Sequence, residues 1–329
     1  VLVIGAGISG ILAAKTAAKN NLKTLLLDEK NEIGGSTIFQ DSDLFKIENQ
    51  TSSNWLKSEI KKLKQLSNLE IKTRTSIAAY HGYNFLLARE NLTDHLNKNE
   101  KKGKIRQRLL KIRAKKVIIA TGALERPMIF NNNDRPGIML SSAVKKYANY
   151  YGVISGKKTV FFTNNDSAYE SAISLNKKGI NVEAIIDIRE KSNSKIVKET
   201  IDLGIKIYWS HTVVDTDGYK RLKEISIMEL SKDNQSVVGT KKNISCDCLG
   251  IAGGWTPAVH LFTQSGGKLK FNEEDQVFLP NEYPSEQVSI GSCNGDFELD
   301  KIIKNLSTSL KDFLKIEKTD YDNLNVECS

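Results

Sequence analysis

The chain has 329 residues, of which 40% are hydrophobic and 26% charged, and its formal net charge is +9. These values are typical of a soluble globular protein with two domains. The sequence has no apolar run long enough to span a bilayer and nothing that resembles a secretory leader, so we expect a cytoplasmic protein. The densest basic runs, residues 57–65 and 98–108, are rich in lysine and contain Glu59 and Glu100. We therefore interpret them as solvated faces and expect no nucleic-acid partner.

The first residues predict a buried strand, a glycine turn, a helix and a second strand. Gly5, Gly7 and Gly10 form G-x-G-x-x-G between an apolar strand and an alanine-rich helix, and Asp28 ends the second strand. In this motif the first glycine permits the tight turn, the second lets the backbone approach a pyrophosphate, and the third lets the helix pack on the sheet. The acid accepts hydrogen bonds from a ribose. The sequence therefore predicts an adenine-dinucleotide site.

Asp28 and Glu29 are adjacent acids at the end of the second strand. Neighbouring strand residues point to opposite faces, so we expect only one of them to reach the ribose. Asp28 has the motif position, and Glu29 either contacts polar groups of the adenine side or is solvated. An acid here disfavours NADP, because its charge repels the additional phosphate.

The pattern recurs at residues 156–190, which again predict a strand, a turn, a helix and a strand that ends at Asp187. In register with the first repeat, Thr163, Asn165 and Ala168 replace the three glycines. Asn165 places a side chain where a pyrophosphate needs bare backbone. We therefore predict a second dinucleotide-binding fold that has lost its ligand.

Strand-rich stretches connect and follow the two repeats, at residues 71–91, 106–122, 204–231 and 241–254. Residues 126–140 contain two prolines and are expected to cross between domains without forming an element. Residues 141–153 predict a short amphipathic helix. Residues 286–306 predict a strand, a glycine-rich turn and a helix that return to the first domain.

Four cysteines are present, Cys246, Cys248, Cys293 and Cys328. The strand-like alternation around residues 246–248 predicts that the first two thiols lie on one face. Two cysteines at this spacing without a nearby histidine make a poor zinc site, and the sequence has no C-x-x-C. The four histidines are scattered and have no recognisable serine or cysteine partner. We therefore predict reduced structural thiols, no metal site and no catalytic residue in this chain.

The stretch VIIATG at residues 117–122, together with the glycine motif, resembles the flavoprotein superfamily of glutathione and thioredoxin reductases. This resemblance implies an α/β fold of two nested Rossmann-like FAD/NAD(P)-binding domains. It places Thr121 and Gly122 in a turn beside the cofactor, and Gly34 and Gly35 match the paired glycines that follow the acid. The redox cysteines that disulfide reductases carry after this glycine pair are absent from the sequence.

A narrower resemblance covers essentially the whole chain. The segments ATGALERPMIFNNNDRPGIMLSSAV, VFFTNNDSAYESA and AGGWTPAVHLFTQSGGKLKF look like the alpha subunits of heterotetrameric sarcosine oxidase. The related alpha subunits of opine oxidase and hydrogen cyanide synthase share parts of this pattern. The match corresponds to an internal piece of a much longer subunit, and the start of the sequence inside a strand also favours a segment of a longer polypeptide.

This resemblance implies NAD in the first domain, with FAD and FMN in or with a partner beta subunit. The partners would be that beta subunit and the smaller subunits, and the complex would oxidise sarcosine to glycine. Formaldehyde or methylene-folate and hydrogen peroxide would be the other products. Glutathione-reductase-like proteins have Gly-Asp after the last strand, where the acid holds the ribityl chain of FAD. Here Ser292 follows Gly291, which weakens the case for FAD.

We therefore predict a discontinuous first domain, residues 1–135 and 250–329, and a degenerate second domain, residues 136–249. The alternatives are a self-contained FAD-dependent NAD(P)H oxidoreductase, an opine-oxidase-type subunit and a non-catalytic nucleotide-binding scaffold. Arg126 is expected to pair with a phosphate or with an acid at the domain boundary. The complete set of predicted cofactor-binding residues is Gly5, Ala6, Gly7, Ser9, Gly10, Asp28, Glu29, Gly34, Gly35, Ser36, Thr121, Gly122, Arg126 and Gly291.

Overall fold

The computed structural model describes residues 1–41, 45–319, 321 and 326–328. The chain divides into two compact units. The first comprises Val1–Leu124 and Thr256–Cys328, and the second comprises Glu125–Trp255. The chain passes between the units in the short strands Ala123–Glu125 and Trp255–Pro257.

A parallel sheet of five strands forms the core of the first unit. In spatial order its strands are Gln287–Ser289, Val117–Ile119, Leu2–Ile4, Thr24–Leu27 and Leu69–Lys72. The first sequence strand is therefore central, with a crossover on each side. Such all-parallel strands are buried on both faces, which explains their continuous apolar runs.

Two different layers cover this sheet. One face packs against the helices Ile8–Lys19, Ser52–Lys64 and Leu299–Leu314. The other face packs against an antiparallel sheet of the strands Thr75–His81, Phe85–Asn91 and Gln107–Arg113. Because successive strand residues point to opposite faces, Val3 packs among the helices while Leu2 and Ile4 pack towards the antiparallel sheet.

The remaining described elements of the first unit are short. The strands are Phe45–Ile47, Gln50–Thr51, Lys268–Asn272, Val277–Glu282 and Val326–Cys328. The α-helices are Lys98–Lys101 and His260–Gln264, and the 3-10 helices are Gly35–Phe39 and Gly291–Asn294. None of the described helices, in either unit, combines the length and apolar character needed to cross a membrane.

A buried ion pair joins the first two helices of this unit. Lys15 Nζ lies 2.7 Å from Glu59 Oε2, and the two residues are 7% and 1% exposed. Lys62 Nζ contacts the other carboxylate oxygen, Oε1, at 2.6 Å. The buried carboxylate thus has a cationic partner on each oxygen, so its charge is compensated inside the helical layer.

We expect Glu59→Ala to lower the free energy of unfolding by about 3 kcal/mol, because it removes the carboxylate that a buried ammonium group contacts. Urea denaturation measures this change. The matched control is Glu274→Ala, an exposed acid of the same unit, which is expected to change stability by less than about 0.5 kcal/mol. Equal effects of the two substitutions would contradict the structural role of the pair.

The second unit repeats the architecture of the first. Its parallel sheet has the strands, in spatial order, Ile138–Leu140, Cys248–Ala252, Thr159–Thr163, Val182–Asp187 and Ile207–Tyr208. The helices are Ser141–Tyr151, Ser167–Lys177 and Lys195–Asp202. An antiparallel sheet is formed by the strands His211–Asp217, Glu224–Leu230 and Val237–Ser245. The prediction of two Rossmann-like domains is therefore confirmed.

The compact units end at different positions from the predicted domain boundaries of 135/136 and 249/250. A boundary at 249/250 would cut the strand Cys248–Ala252, which lies inside the second sheet. Residues 126–135 belong to the second unit, where Asn131 and Asn132 both donate to the Asp215 carboxylate. Contacts distant in sequence therefore decide where each unit ends.

Two local predictions were wrong. The crossing segment 126–140 ends in the strand Ile138–Leu140, which pairs with a central strand of the second sheet. Cys246 and Cys248 do not share a face. Cys248 packs with the cluster that contains Phe161, whereas Cys246 packs with Phe162, the next residue along the same strand. A bend at Asp247 separates the two cysteines and breaks the strand alternation.

Candidate functional site

The glycine turn of the first unit brings three chain segments into close contact. Gly5 has φ +97°, and a Cβ there would lie 2.3 Å from the carbonyl oxygen of Ala120. A Cβ at Gly10 would lie 1.8 Å from the carbonyl oxygen of Gly5. Only glycine allows both approaches, so these two residues seat the first helix against the ends of two neighbouring strands.

Gly7 has a different environment. It precedes the first residue of the helix Ile8–Lys19, and a Cβ at Gly7 would meet no atom within 4 Å. No side chain of the described residues caps this helix, and its first turn contains no acid. The first N–H groups of a helix lack intrahelical acceptors and carry the positive end of the dipole. The turn therefore presents open, electropositive backbone, which suits an anion such as pyrophosphate.

Asp28 lies directly beside this turn and is 9% exposed. Its Oδ2 accepts a hydrogen bond from the N–H of Ala6 at 2.6 Å, and its Oδ1 accepts one from the N–H of Lys30 at 2.8 Å. These bonds hold the carboxylate in one orientation. Each oxygen retains lone-pair capacity for a further donor such as a ribose hydroxyl. The contribution of Lys30 could not be predicted from the sequence. It donates through its backbone N–H, which every residue except proline has.

The paired glycines pack on the same turn. The N–H of Gly34 donates to the carbonyl oxygen of Ala6 at 2.7 Å. Gly35 has φ +59°, and a Cβ there would lie 2.8 Å from the Cα of Gly7. This segment therefore supports the backbone of the turn from the side of the second strand.

Thr121 and Gly291 complete the edge of the sheet. The N–H nitrogen of Thr121 is 3.3 Å from a Cβ placed on Gly5, and the Thr121 hydroxyl donates to the carbonyl oxygen of Ala258 at 2.8 Å. A Cβ on Gly291 would lie 2.2 Å from the Oγ of Ser9. Ala258 had no sequence signal, because it comes close only through the fold. The ends of the strands Leu2–Ile4, Val117–Ile119 and Gln287–Ser289 thus lie together at the first turn of the helix Ile8–Lys19.

Gly122 comes directly after Thr121, and its carbonyl oxygen accepts a hydrogen bond from the N–H of Ala258 at 2.9 Å. A Cβ at Gly122 would meet no atom within 4 Å. Glu29 and Ser36 are exposed. Arg126 belongs to the second unit, where its N–H donates to Gly254 and its guanidinium lies against that glycine. Most of the predicted residues therefore lie around the turn of the first unit, and Arg126 belongs to the second unit.

The equivalent turn of the second unit is filled by side chains. Asn165 Oδ1 accepts from the N–H of Ser167 at 3.0 Å and from its hydroxyl at 2.5 Å. Asp166 precedes the helix Ser167–Lys177, and Glu170 lies in its first turn. The amide oxygen of Asn165 thus takes the first N–H of this helix, so an anion would have to displace it. The carboxylates of Asp166 and Glu170 lie at the same end and are paired with Arg189 and Lys145.

Asp187, which corresponds to Asp28, is also engaged internally. It is 0% exposed, and its Oδ2 accepts from the Tyr169 hydroxyl at 2.7 Å. The guanidinium of Arg189 donates to both Asp187 and Asp166, each at 2.8 Å. Burial, and then the neighbouring Asp187 carboxylate, raise the pKa of Tyr169. The acid that would accept a ribose in this unit is therefore occupied by two side chains.

The buried thiols do not add a reactive centre. Cys293 Sγ donates to the carbonyl oxygens of Ile119 and Ile290, each at 3.2 Å. Burial raises the pKa of Cys293, and it raises the pKa of Cys248 to about 11. A raised pKa keeps a thiol protonated and weakly nucleophilic. Within the described part of the chain, no group of three His, Cys, Asp or Glu residues could hold a metal ion. The side chain of Cys328 lies outside the described side chains.

Comparison with known proteins relates this geometry to a family. The model of the family described as pyridine nucleotide-disulphide oxidoreductase matches residues 1–289. The sarcosine oxidase subunit alpha of Corynebacterium sp. (strain P-1) is 36% identical over 300 residues, which are 91% of this chain and 30% of that protein. The corresponding subunit of Corynebacterium sp. (strain U-96) is 32% identical over 295 residues, 90% of this chain and 30% of that protein.

Among solved structures, thioredoxin reductase of Lactococcus lactis superposes with a TM-score of 0.69. The match covers 95% of this chain and 97% of that chain at 18% sequence identity, so it demonstrates a shared fold. The chain spans 30% of the length of the two sarcosine oxidase subunits.

Proposed function

Because the chain belongs to the pyridine nucleotide-disulphide oxidoreductase family, we propose that it is the NAD-binding portion of a sarcosine-oxidase-like alpha subunit. The observation that carries this proposal is the contrast between the two glycine-turn positions. Within the described residues, no side chain caps the helix that follows Gly7, whereas Asn165 Oδ1 accepts from the N–H of Ser167, the first residue of the equivalent helix of the second unit. One dinucleotide site, in the first unit, follows from this contrast.

The residues at the turn fit an adenine dinucleotide. The open backbone at Gly7 and the positive end of the first helix would hold the pyrophosphate. Asp28, kept in place by the N–H groups of Ala6 and Lys30, would accept hydrogen bonds from the adenosine ribose. NAD, when bound, supplies a nicotinamide ring that can exchange hydride.

The same carboxylate favours NAD over NADP. Asp28 is held beside the turn by two backbone donors, so it cannot readily turn away from a ligand. A phosphate on the ribose would bring a second negative charge against it. The exposed Glu29 adds a further negative charge at this end of the strand.

At the level of the complex, we propose an oxidoreductase that acts on the CH–NH group of sarcosine and yields glycine, formaldehyde or methylene-folate, and hydrogen peroxide. A beta subunit and smaller subunits would be the partners in a heterotetramer, with FAD and FMN in or with the beta subunit. The support is the identity of 36% and 32% with two sarcosine oxidase alpha subunits. The chain itself would contribute nucleotide binding and contact surface.

The rival function is a self-contained FAD-dependent NAD(P)H oxidoreductase, which needs a working dinucleotide site in each unit. In the second unit the Asn165 side chain takes the first N–H of the helix, and the Tyr169 and Arg189 side chains bond Asp187, the counterpart of Asp28. The geometry therefore favours one site over two.

Identification of the nucleotide released from the purified, denatured chain tests the proposal. We expect colourless NAD, identified by its mass and by the absence of a flavin's visible absorbance, as an adenine dinucleotide bound at the helix terminus. Release of yellow FAD would overturn the NAD assignment and make the self-contained flavoenzyme the leading function. A chain purified without nucleotide is titrated with NAD and with FAD, and the tighter ligand decides between them.

A further inference from the structure

A cavity of about 410 Å3 lies in the second unit, away from its glycine-turn position. Three separate segments line it, Lys157–Lys158, Arg221–Lys223 and Ser245–Asp247. Two of these segments immediately precede the parallel strands Thr159–Thr163 and Cys248–Ala252. The cavity is therefore at the amino ends of the strands, whereas dinucleotides bind at the carboxyl ends.

The lining combines cationic side chains with apolar surface. Four of its residues are Lys157, Lys158, Arg221 and Lys223, and Asp247 is the one carboxylate among the lining residues. Asp247 Oδ2 accepts from Arg221 Nη2 at 2.7 Å, so it compensates the charge of that guanidinium. No carboxylate of the described residues forms an ion pair with the ammonium groups of the three lysines. Three ammonium groups at the cavity are therefore without an ion-pair partner among the described carboxylates.

The packing around Asp247 builds this arrangement. Asp247 Oδ1 accepts from the backbone N–H of Lys158 at 2.8 Å, which ties two of the lining segments together. A Cβ on Gly156 would lie 2.6 Å from both Asp247 Oδ1 and Cys248 Cβ, so glycine lets this segment pack closely on residues 247–248. Leu222 and Cys246, which also line the cavity, are 0% and 1% exposed and supply an apolar lining.

Other acids near the cavity do not line it. Burial raises the pKa of the Cys246 thiol to about 12, and the carboxylates of Asp247, Glu183 and Glu224 are close enough to contribute. Neither Glu183 nor Glu224 is a lining residue. The basic run at residues 98–108 differs from the cavity lining in two ways. It is one continuous segment, and its Arg106 forms an ion pair with Asp94 at 2.5 Å.

We propose that this cavity binds a small phosphate-bearing anion. A phosphate monoester carries about −1.5 to −2 charge at neutral pH, so it matches several ammonium groups better than a single carboxylate does. Lysine binds phosphate as a point charge, without the geometric demands of a guanidinium fork. The lining belongs entirely to the second unit, so this site does not depend on NAD in the first.

Isothermal titration of the full chain with inorganic pyrophosphate at low ionic strength tests the proposal. The titration is made with and without saturating NAD, which separates this site from the glycine turn of the first unit. We expect one pyrophosphate per chain in the presence of NAD. Lys158→Gln/Lys223→Gln is expected to weaken binding by at least about tenfold, because two charge-assisted contacts are removed.

The matched control is Lys102→Gln/Lys104→Gln, which removes two exposed charges from the run at 98–108 and is expected to leave the affinity unchanged. Thermal unfolding of both double variants checks that the fold is intact, and the single variant Lys157→Gln repeats the test with a smaller change. Equal weakening by the two double variants would mean a general charge effect and would overturn the proposal. Absence of pyrophosphate binding at millimolar concentration would overturn it as well.

Discussion

Gly10→Val is expected to unfold the first unit. A Cβ at this position would lie 1.8 Å from the carbonyl oxygen of Gly5, and Gly5 itself is held against Ala120. The obstruction is backbone, so no side chain can turn aside to relieve it. We expect a loss of at least about 4 kcal/mol, which is a large part of the stability of an ordinary domain. Circular dichroism during urea titration measures the change.

The same substitution at Gly7 is the matched control for stability. Gly7 has an extended backbone with φ −72° and ψ −174°, and a Cβ there meets no atom within 4 Å. We therefore expect the free energy of unfolding of the Gly7→Val apoprotein to lie within about 1 kcal/mol of that of the unmodified apoprotein. A Gly10→Val chain as stable as the Gly7→Val chain would contradict the close helix–strand contact.

Gly7→Val is in turn expected to weaken NAD binding by at least about 100-fold, or about 2.8 kcal/mol. The space beside Gly7 that is open in the structure is where the pyrophosphate would approach the helix N-terminus. A valine side chain would fill this space and keep the phosphates from the free N–H groups, each of which is worth about 1.5 to 3 kcal/mol to a charged partner.

Titration calorimetry of the folded apoprotein with NAD gives the affinity. The parallel substitution in the second unit, Asn165→Val, is the matched control, and we expect it to leave NAD affinity unchanged because that turn is already filled. Unchanged NAD affinity of the Gly7→Val chain would contradict the assignment of the site. Loss of NAD binding in the Asn165→Val chain would move the site to the second unit.

The order of strands and helices around the first turn followed from the sequence. The three glycines and Asp28 meet requirements of the backbone around the turn, and each requirement involves only a few neighbouring atoms. Alternating and helical apolar patterns likewise depend on residues close in sequence. For this reason the two Rossmann-like units could be predicted from the sequence, and the site at the first turn stays a prediction.

The state of the second turn required the structure. The sequence shows Asn165 in place of a glycine, but it does not show that Arg189 and Tyr169 converge on Asp187. The ends of the units and the opposite directions of Cys246 and Cys248 were equally hidden. Each of these features depends on how segments distant in the chain pack together.

The fold class and the glycine turn with its acid could be predicted from the amino-acid sequence, because backbone sterics and strand periodicity act over short distances. The folded chain was needed to show which turn is open, which carboxylate is already paired and which lysines surround one cavity. Hydrogen bonds and charges act between groups that are close in space. The chain brings those groups together from positions that no local pattern relates.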